Sequence, residues 1–175
     1  NHHEPNNERE QPVMRNTWIR RISAIRKDGV ESAINLTCGL NCIIGASNTG
    51  KTRIAKTVEF ACGGKELPFT DKTAYEIAQV TFVTNGGEVS LSRSIHVQNT
   101  IHVKSSNPMI VPGSYSVSSR AGKSINTVLL ALLGVESTRR IATNETYHTV
   151  AFTWNAIRHL MIVPEDQIGL SLIHI

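Results

Sequence analysis

The clearest chemistry in the chain lies in eight consecutive residues. Residues 45–52 read GASNTGKT, which satisfies the pattern G-x-x-x-x-G-K-[ST] at every specified position. Each residue type has a physical task in holding a phosphate. Gly45 lets the chain leave a strand in a conformation closed to residues that carry a Cβ. The N–H groups of Ala46, Ser47, Asn48, Thr49, Gly50, Lys51 and Thr52 can converge on one anion. Gly50 lets the main chain come close to the phosphates. Lys51 places a point charge on the β- and γ-phosphates. The Thr52 hydroxyl suits a Mg²⁺ ligand beside substrate oxygens. Arg53, on the positive end of the helix that follows, completes the candidate nucleotide-binding set. The competing structural reading is a Gly-rich turn that caps an ordinary helix.

Other candidates are weaker. A second GKS occurs at Gly122, Lys123 and Ser124. A phosphate loop there would need glycine at position 117, which is Val117, and no buried-strand pattern precedes it. It reads as a loop entering a helix, with Ser124 near the cap. Residues 160–167, LMIVPEDQ, end in Glu165, Asp166 and Gln167. They fit three readings: a hydrophobic strand ending in an acidic pair, a loop bringing one polar side chain to a metal, or a solvated acidic turn. Pro164 disfavours the first by displacing the carboxylates from the strand end. Histidines 96, 102, 148 and 159 share no metal-ligand spacing and read as surface residues of strands or helices. Cys38 and Cys42 stand four apart with no second ligand pair, so they read as buried apolar thiols rather than a zinc site.

The elements that must position the loop follow from periodicity. Residues 40–44, LNCII, form a short apolar run of the kind found in a strand buried on both faces. After the loop, Ile54, Val58 and Ala61 fall on one helical face, and Gly63–Gly64 supplies a C-terminal stop. Trp18, Ile19, Ile22 and Ile25 recur at helical spacing, yet their β-branched content suits a strand. Ile34 and Leu36 alternate as in a short strand. From Glu76 the period becomes two: Ala78, Val80 and Phe82 share a face, and Asn85–Gly86 marks a hairpin. Val89, Leu91, Ile95 and Val97 then alternate with serines and His96, while Arg93 falls on the apolar parity. Ile101 and Val103 continue into a third strand. The pattern is an antiparallel meander with one wet face. Residues 107–119 read as a loop, residues 125–135 as a short apolar helix ending near Gly134, and residues 150–163 as a strand leading into a helix.

Composition sets the bounds. With 175 residues, 40% of them hydrophobic and 18% charged, the chain can bury a core and is not disordered as a whole. No apolar run reaches the roughly 18 residues of a membrane span, so no membrane partner is expected. Aromatics are 5%, thin for a module that stacks bases. Lys and Arg total 18 against 14 Asp and Glu, and this excess of four is spread along the chain, so it permits an anionic partner without arguing for one. Three cysteines make an odd, sparse set that fits a reducing compartment, and a cytoplasmic location is expected. The expected organisation is a disordered leader over residues 1–16, a nucleotide-binding lobe over 17–169 and a non-native tail over 170–175.

The stretch GLNCIIGASNTGKT resembles the N-terminal motif of SMC-like ATPases, the group of AAA/ABC-class P-loop proteins that includes SbcC and RecN. Their form is a Gly-Leu-Asn lead, here Gly39, Leu40 and Asn41, then a hydrophobic strand and the phosphate loop. The order of segments is also similar. The resemblance implies an α/β P-loop fold with an antiparallel meander, ATP and Mg²⁺ as cofactors, and two heads that sandwich ATP as a homodimer. It implies DNA as a partner of the whole protein, with a role in DNA repair or chromosome maintenance. In such heads a loop glutamine contacts the metal. Glu165 stands at the equivalent place and Gln167 two residues on, so either contacts Mg²⁺. The coiled coil, Ser-Gly-Gly signature, acidic strand and switch histidine of such proteins do not occur here. The expectation is therefore the truncated N-terminal half of a head, which hydrolyses ATP only in the full-length protein. Two other classes are compatible with the loop: another P-loop enzyme, such as a RecA-like motor or a small kinase, and a non-catalytic nucleotide-gated dimerisation module.

Overall fold

A computed structural model describes residues 17–46, 50–70, 73–118 and 122–135, together with 140–142, 149–151, 153–155 and 158. The first hairpin joins β1 (Trp18–Arg26) to β2 (Glu31–Asn35). Its turn is closed by Arg26 N–H donating to Val30 O at 2.9 Å, with Gly29 at a φ of 83°. After α1 (Lys51–Ala61) come β3 (Tyr75–Thr84), β4 (Gly87–Ser94), β5 (Thr100–Ser105) and β6 (Gly113–Ser116). Then follow α2 (Ile125–Leu132) and two short strands, β7 (Arg140–Ala142) and β8 (Thr149–Ala151), which pair only with each other.

Six strands form one sheet in the order β2-β1-β3-β4-β5-β6, and every neighbouring pair is antiparallel. This overturns the expected α/β P-loop fold, which requires a parallel sheet. The described residues form an antiparallel sheet with two short helices on one face. The cause is visible in the strands themselves. They alternate apolar and polar residues and are joined by tight turns, a combination that suits antiparallel pairing with one face left to water. The meander over β3, β4 and β5 is as the periodicity indicated.

The greatest departure lies just before the phosphate loop. Residues 40–44 form no strand, and Leu40 is 98% exposed and Ile44 88% exposed. No described strand pairs with them, so the apolar run has neither ladder partners nor a cover.

Helical spacing in β1 has a different origin. The register shifts between Ile19 and Arg21, so a β-bulge inserts one extra residue there. It puts Ile19 and Ile22, three apart, on the same inner face with Ala24. Residues 107–119 are not all loop either: Gly113–Ser116 adds the edge strand, anchored by inward-facing Tyr115.

Helices α1 and α2 cover the inner face over two adjoining cores. Ile22, Phe60, Ala61, Ala78 and Val80 gather beneath α1. Val89, Leu91, Ile101, Val103 and Leu129 gather beneath α2. Val58 and Phe82 pack against both, making the two cores continuous. Both helices stop at glycine as expected. At α1, Gly63 has a φ of 100°, and Gly64 N–H donates to Glu59 O at 2.8 Å. At α2, Gly134 has a φ of 69°, and Val135 N–H donates to Leu130 O at 2.9 Å.

No helix among the described residues is long and apolar enough to cross a membrane. The expected leader over 1–16 and tail over 170–175 lie outside the described residues.

Candidate functional site

Helix α1 carries the site. Thr57, Phe60 and Ala61 are buried, and Ile54 and Val58 are half-buried, so one face is held down on the sheet while the first turn stays in solvent. Gly50 precedes the helix in the left-handed region, with a φ of 91° and a ψ of 11°. That conformation favours glycine, which accounts for the motif's second glycine. Among the described residues no side chain caps the helix, and its first turn, residues 51–54, holds no acidic residue.

Lys51 closes the loop on itself. Its Nζ donates to Gly45 O at 2.8 Å and to Ala46 O at 2.6 Å. The ammonium thus ties the first two loop residues to the start of the helix. An ammonium has three N–H donors, and these bonds use two of them. Lys51, Thr52 and Arg53 are all exposed. Arg53 N–H donates to Gly50 O at 2.9 Å, tightening the first turn. Ser47, Asn48 and Thr49 lie outside the described residues.

A turn stapled by Asn41 leads into the loop. The Asn41 Oδ1 accepts from Thr37 N–H at 3.0 Å, and its Nδ2 donates to Thr37 O at 2.8 Å and Gly39 O at 3.0 Å. Gly39 supplies the left-handed residue, with a φ of 99°. Cys38 and Cys42 flank this staple and are exposed, not buried as expected, whereas Cys62 is buried. The two thiols follow their segment into solvent because residues 40–44 are not a core strand.

Beside the loop, a cleft of about 310 Å³ runs between the first turn of α1 and the β1–β2 hairpin. Gly50, Arg53 and Ile54 line one side, and Ala24, Ser32 and Ile34 the other. Phe69 and Tyr75 also line it, their ring centroids 5.3 Å apart. Tyr75 Oη and Ser32 Oγ share a hydrogen bond at 2.7 Å.

The second GKS is structural. Ser124 is the N-cap of α2, and its Oγ accepts from Asn126 N–H at 3.2 Å. The Lys123 ammonium lies 4.7 Å from the centroid of the Tyr115 ring. The metal candidates Glu165 and Gln167 lie outside the described residues, as do His148 and His159. His96 and His102 are exposed, and among the described residues no group of three His, Cys, Asp or Glu could hold a metal.

Two residues the motif does not contain matter to the site. Asn41 is one; the Gly-Leu-Asn lead singled it out in the sequence, but its side-chain-to-backbone bonds to Thr37 and Gly39 are seen only in the structure. Arg93 is the other, and its place on an apolar parity was the available signal. It is buried at 4% exposure, 4.0 Å from the centroid of the Phe60 ring. It donates to Phe60 O and Gly64 O at 2.6 Å each, and to Gln98 O at 2.8 and 2.6 Å. The guanidinium therefore clamps the C-terminal end of α1 to the β4–β5 connection. Burial alone pulls its pKa down to about 10.

No family model matches the chain, and no curated protein matches it.

Proposed function

We propose that residues 45–53 bind the phosphates of a nucleoside triphosphate, ATP, together with Mg²⁺. The observation that carries this reading is the start of α1: a left-handed Gly50, a first turn without acidic residues that no described side chain caps, and a Lys51 ammonium bonded back to Gly45 and Ala46. Ser, Thr, Asp and Asn side chains cap helix N–H groups. Ser124 does that at α2, whereas Gly50 at α1 has no side chain to place there. In this reading the Lys51 ammonium offsets phosphate charge, the Thr52 hydroxyl is the Mg²⁺ ligand, and Arg53 faces the nucleotide from the helix. The adjoining cleft takes the remainder of the nucleotide.

The likeness of residues 39–52 to SMC-like heads supports ATP as the nucleotide, and ATP-joined pairing with DNA maintenance as the work of the whole protein. The DNA part rests on that likeness alone, because the basic excess is spread. The antiparallel sheet lends it no support.

The test is a titration of the full chain with a fluorescent ATP analogue and Mg²⁺. Saturable binding is expected. Lys51→Ala is expected to weaken it by about 1.5–3 kcal/mol, roughly ten- to a hundredfold, as for loss of a charged hydrogen bond. Lys123→Ala leaves it unchanged. Absence of saturable binding by the wild-type chain overturns the proposal.

A further inference from the structure

Two exposed free thiols, Cys38 and Cys42, sit with three residues between them on the turn that leads into the phosphate loop. The third cysteine, Cys62, is buried in the core and cannot meet either of them. Fully extended, four residue steps would hold the two Cα atoms about 13 Å apart, too far for a disulfide, whose Cα atoms lie within about 7 Å. The turn shortens that span. Gly39, in the left-handed region, bends the chain between the thiols. Asn41 Oδ1 accepts from Thr37 N–H at 3.0 Å and from Thr37 Oγ1 at 3.2 Å. Its Nδ2 donates to the carbonyls on either side of Cys38, those of Thr37 at 2.8 Å and Gly39 at 3.0 Å. The Asn41 amide is thus folded back onto the backbone around Cys38, and Cys42 is the next residue along.

Cys42 is also free to complete the approach. It lies in residues 40–44, which form no strand, so closing a bond there breaks no strand pairing among the described residues. Two thiols tethered so closely meet at a high effective concentration, which favours a link within the turn over a link between chains.

We propose that Cys38 and Cys42 form a redox switch, closed to a disulfide by a small-molecule disulfide such as glutathione disulfide. The thiolate of one cysteine attacks a sulfur of the oxidant, a mixed disulfide forms, and one small thiolate leaves. The second cysteine thiolate then attacks the protein sulfur of that mixed disulfide, and the second small thiolate leaves. Two protein thiols are oxidised, one small disulfide is reduced to two thiols, and the two cysteine protons end on those products. The new bond draws Cys42 onto the turn and takes up slack in the residues that lead to Gly45, so the loop has less freedom to close around phosphates. This control of nucleotide binding rests on the phosphate-binding reading above; the disulfide itself does not.

The full chain is equilibrated with glutathione disulfide, alkylated with iodoacetamide and measured by mass spectrometry. Oxidation is expected to remove two hydrogens, to abolish labelling of Cys38 and Cys42 and to yield a peptide that carries their link, all reversed by dithiothreitol. Cys38→Ser and Cys42→Ser are each expected to stop at a glutathione adduct on the remaining thiol. Persistent labelling, two stable glutathione adducts or links between chains overturn the disulfide. A titration with the fluorescent ATP analogue and Mg²⁺ then compares the two forms. The oxidised chain is expected to bind more weakly by about threefold or more. The double variant Cys38→Ser, Cys42→Ser is expected not to respond to the oxidant. Equal binding by both forms of the wild type overturns the switch. Absence of binding by the reduced chain removes the phosphate-binding reading and its control together, while the masses still decide the disulfide.

Discussion

Arg93 shows how one side chain can hold two elements in place. It has no carboxylate among the partners described above; its donors end on the backbone carbonyls of Phe60, Gly64 and Gln98. The Phe60 carbonyl also receives Gly63 N–H at 3.0 Å, so the Gly64 and Gln98 carbonyls lose most if the guanidinium goes. Replacement of Arg93 by Met keeps the volume roughly and strips those donors. Its expected cost is about 3 kcal/mol or more, read as a lower urea midpoint, and Arg93→Lys recovers only part because a point charge cannot span the same carbonyls. Cysteine gives a second test at this scale. Iodoacetamide should label exposed Cys38 and Cys42 in the native chain and Cys62 only after unfolding, as counted by mass spectrometry. The buried Cys62 thiol keeps its proton to about pH 12, whereas in the unfolded chain it is lost near its ordinary value of 9.0. Between these values the folded state binds more protons, so stability falls as pH rises from about 9 toward 12. The slope is at most about 1.4 kcal/mol per pH unit for this group. Denaturant midpoints against pH should be flatter for Cys62→Ala. At this scale the motif, the Ser124 cap and the oddity of Arg93 were legible from residue type and spacing. The exposure of Cys38 and Cys42 was not, because it depends on whether a neighbouring segment finds a strand partner.

Elements were legible where a local rule determined them. Helix α1, both glycine stops and the alternation of β3, β4 and β5 all follow from short-range pattern. The β1 spacing misleads because a bulge converts an interval of two into three, which mimics a helical face. The β3–β4 turn is at Asn85–Gly86 as read, yet the positive φ falls on Gly87, at 136°, and not on the dipeptide. The mirror-image turn that Asn-Gly favours is therefore not the one formed. Gly87 is needed twice over, for its φ and because a Cβ would lie 2.6 Å from Ser106 Oγ and 2.9 Å from Ser106 C. Gly87→Ala is expected to destabilise by about 1–3 kcal/mol, a cost typical of strain at a special backbone position. Ser124→Ala, which removes the α2 cap, is expected to cost about 1 kcal/mol. Thermal unfolding of the two variants beside the wild type checks both values. The edge strand β6 escaped because its polar sequence, GSYS, offers a single inward anchor in Tyr115.

At the scale of the whole molecule, the described residues form chiefly a six-stranded sheet with one face covered. Its two helices shield the inner side, and the outer side keeps hydroxyl contacts such as Thr81 Oγ1 to Ser90 Oγ at 3.2 Å. The meander was legible and the sheet that contains it was not. A phosphate loop implies a parallel neighbour for the strand before it, and none occurs among the described residues. The turn stapled by Asn41 and the start of α1 hold residues 40–44 at their two ends without any ladder between. Leu40 and Ile44 stand in water there, beside backbone groups that no described strand satisfies. Such a stretch is adhesive: copies of the chain meeting at high concentration can zip together along it. Light scattering should set in at lower protein concentration as salting-out ions are added. Leu40→Lys should postpone that onset severalfold, and an unchanged threshold would show that the clumping begins elsewhere.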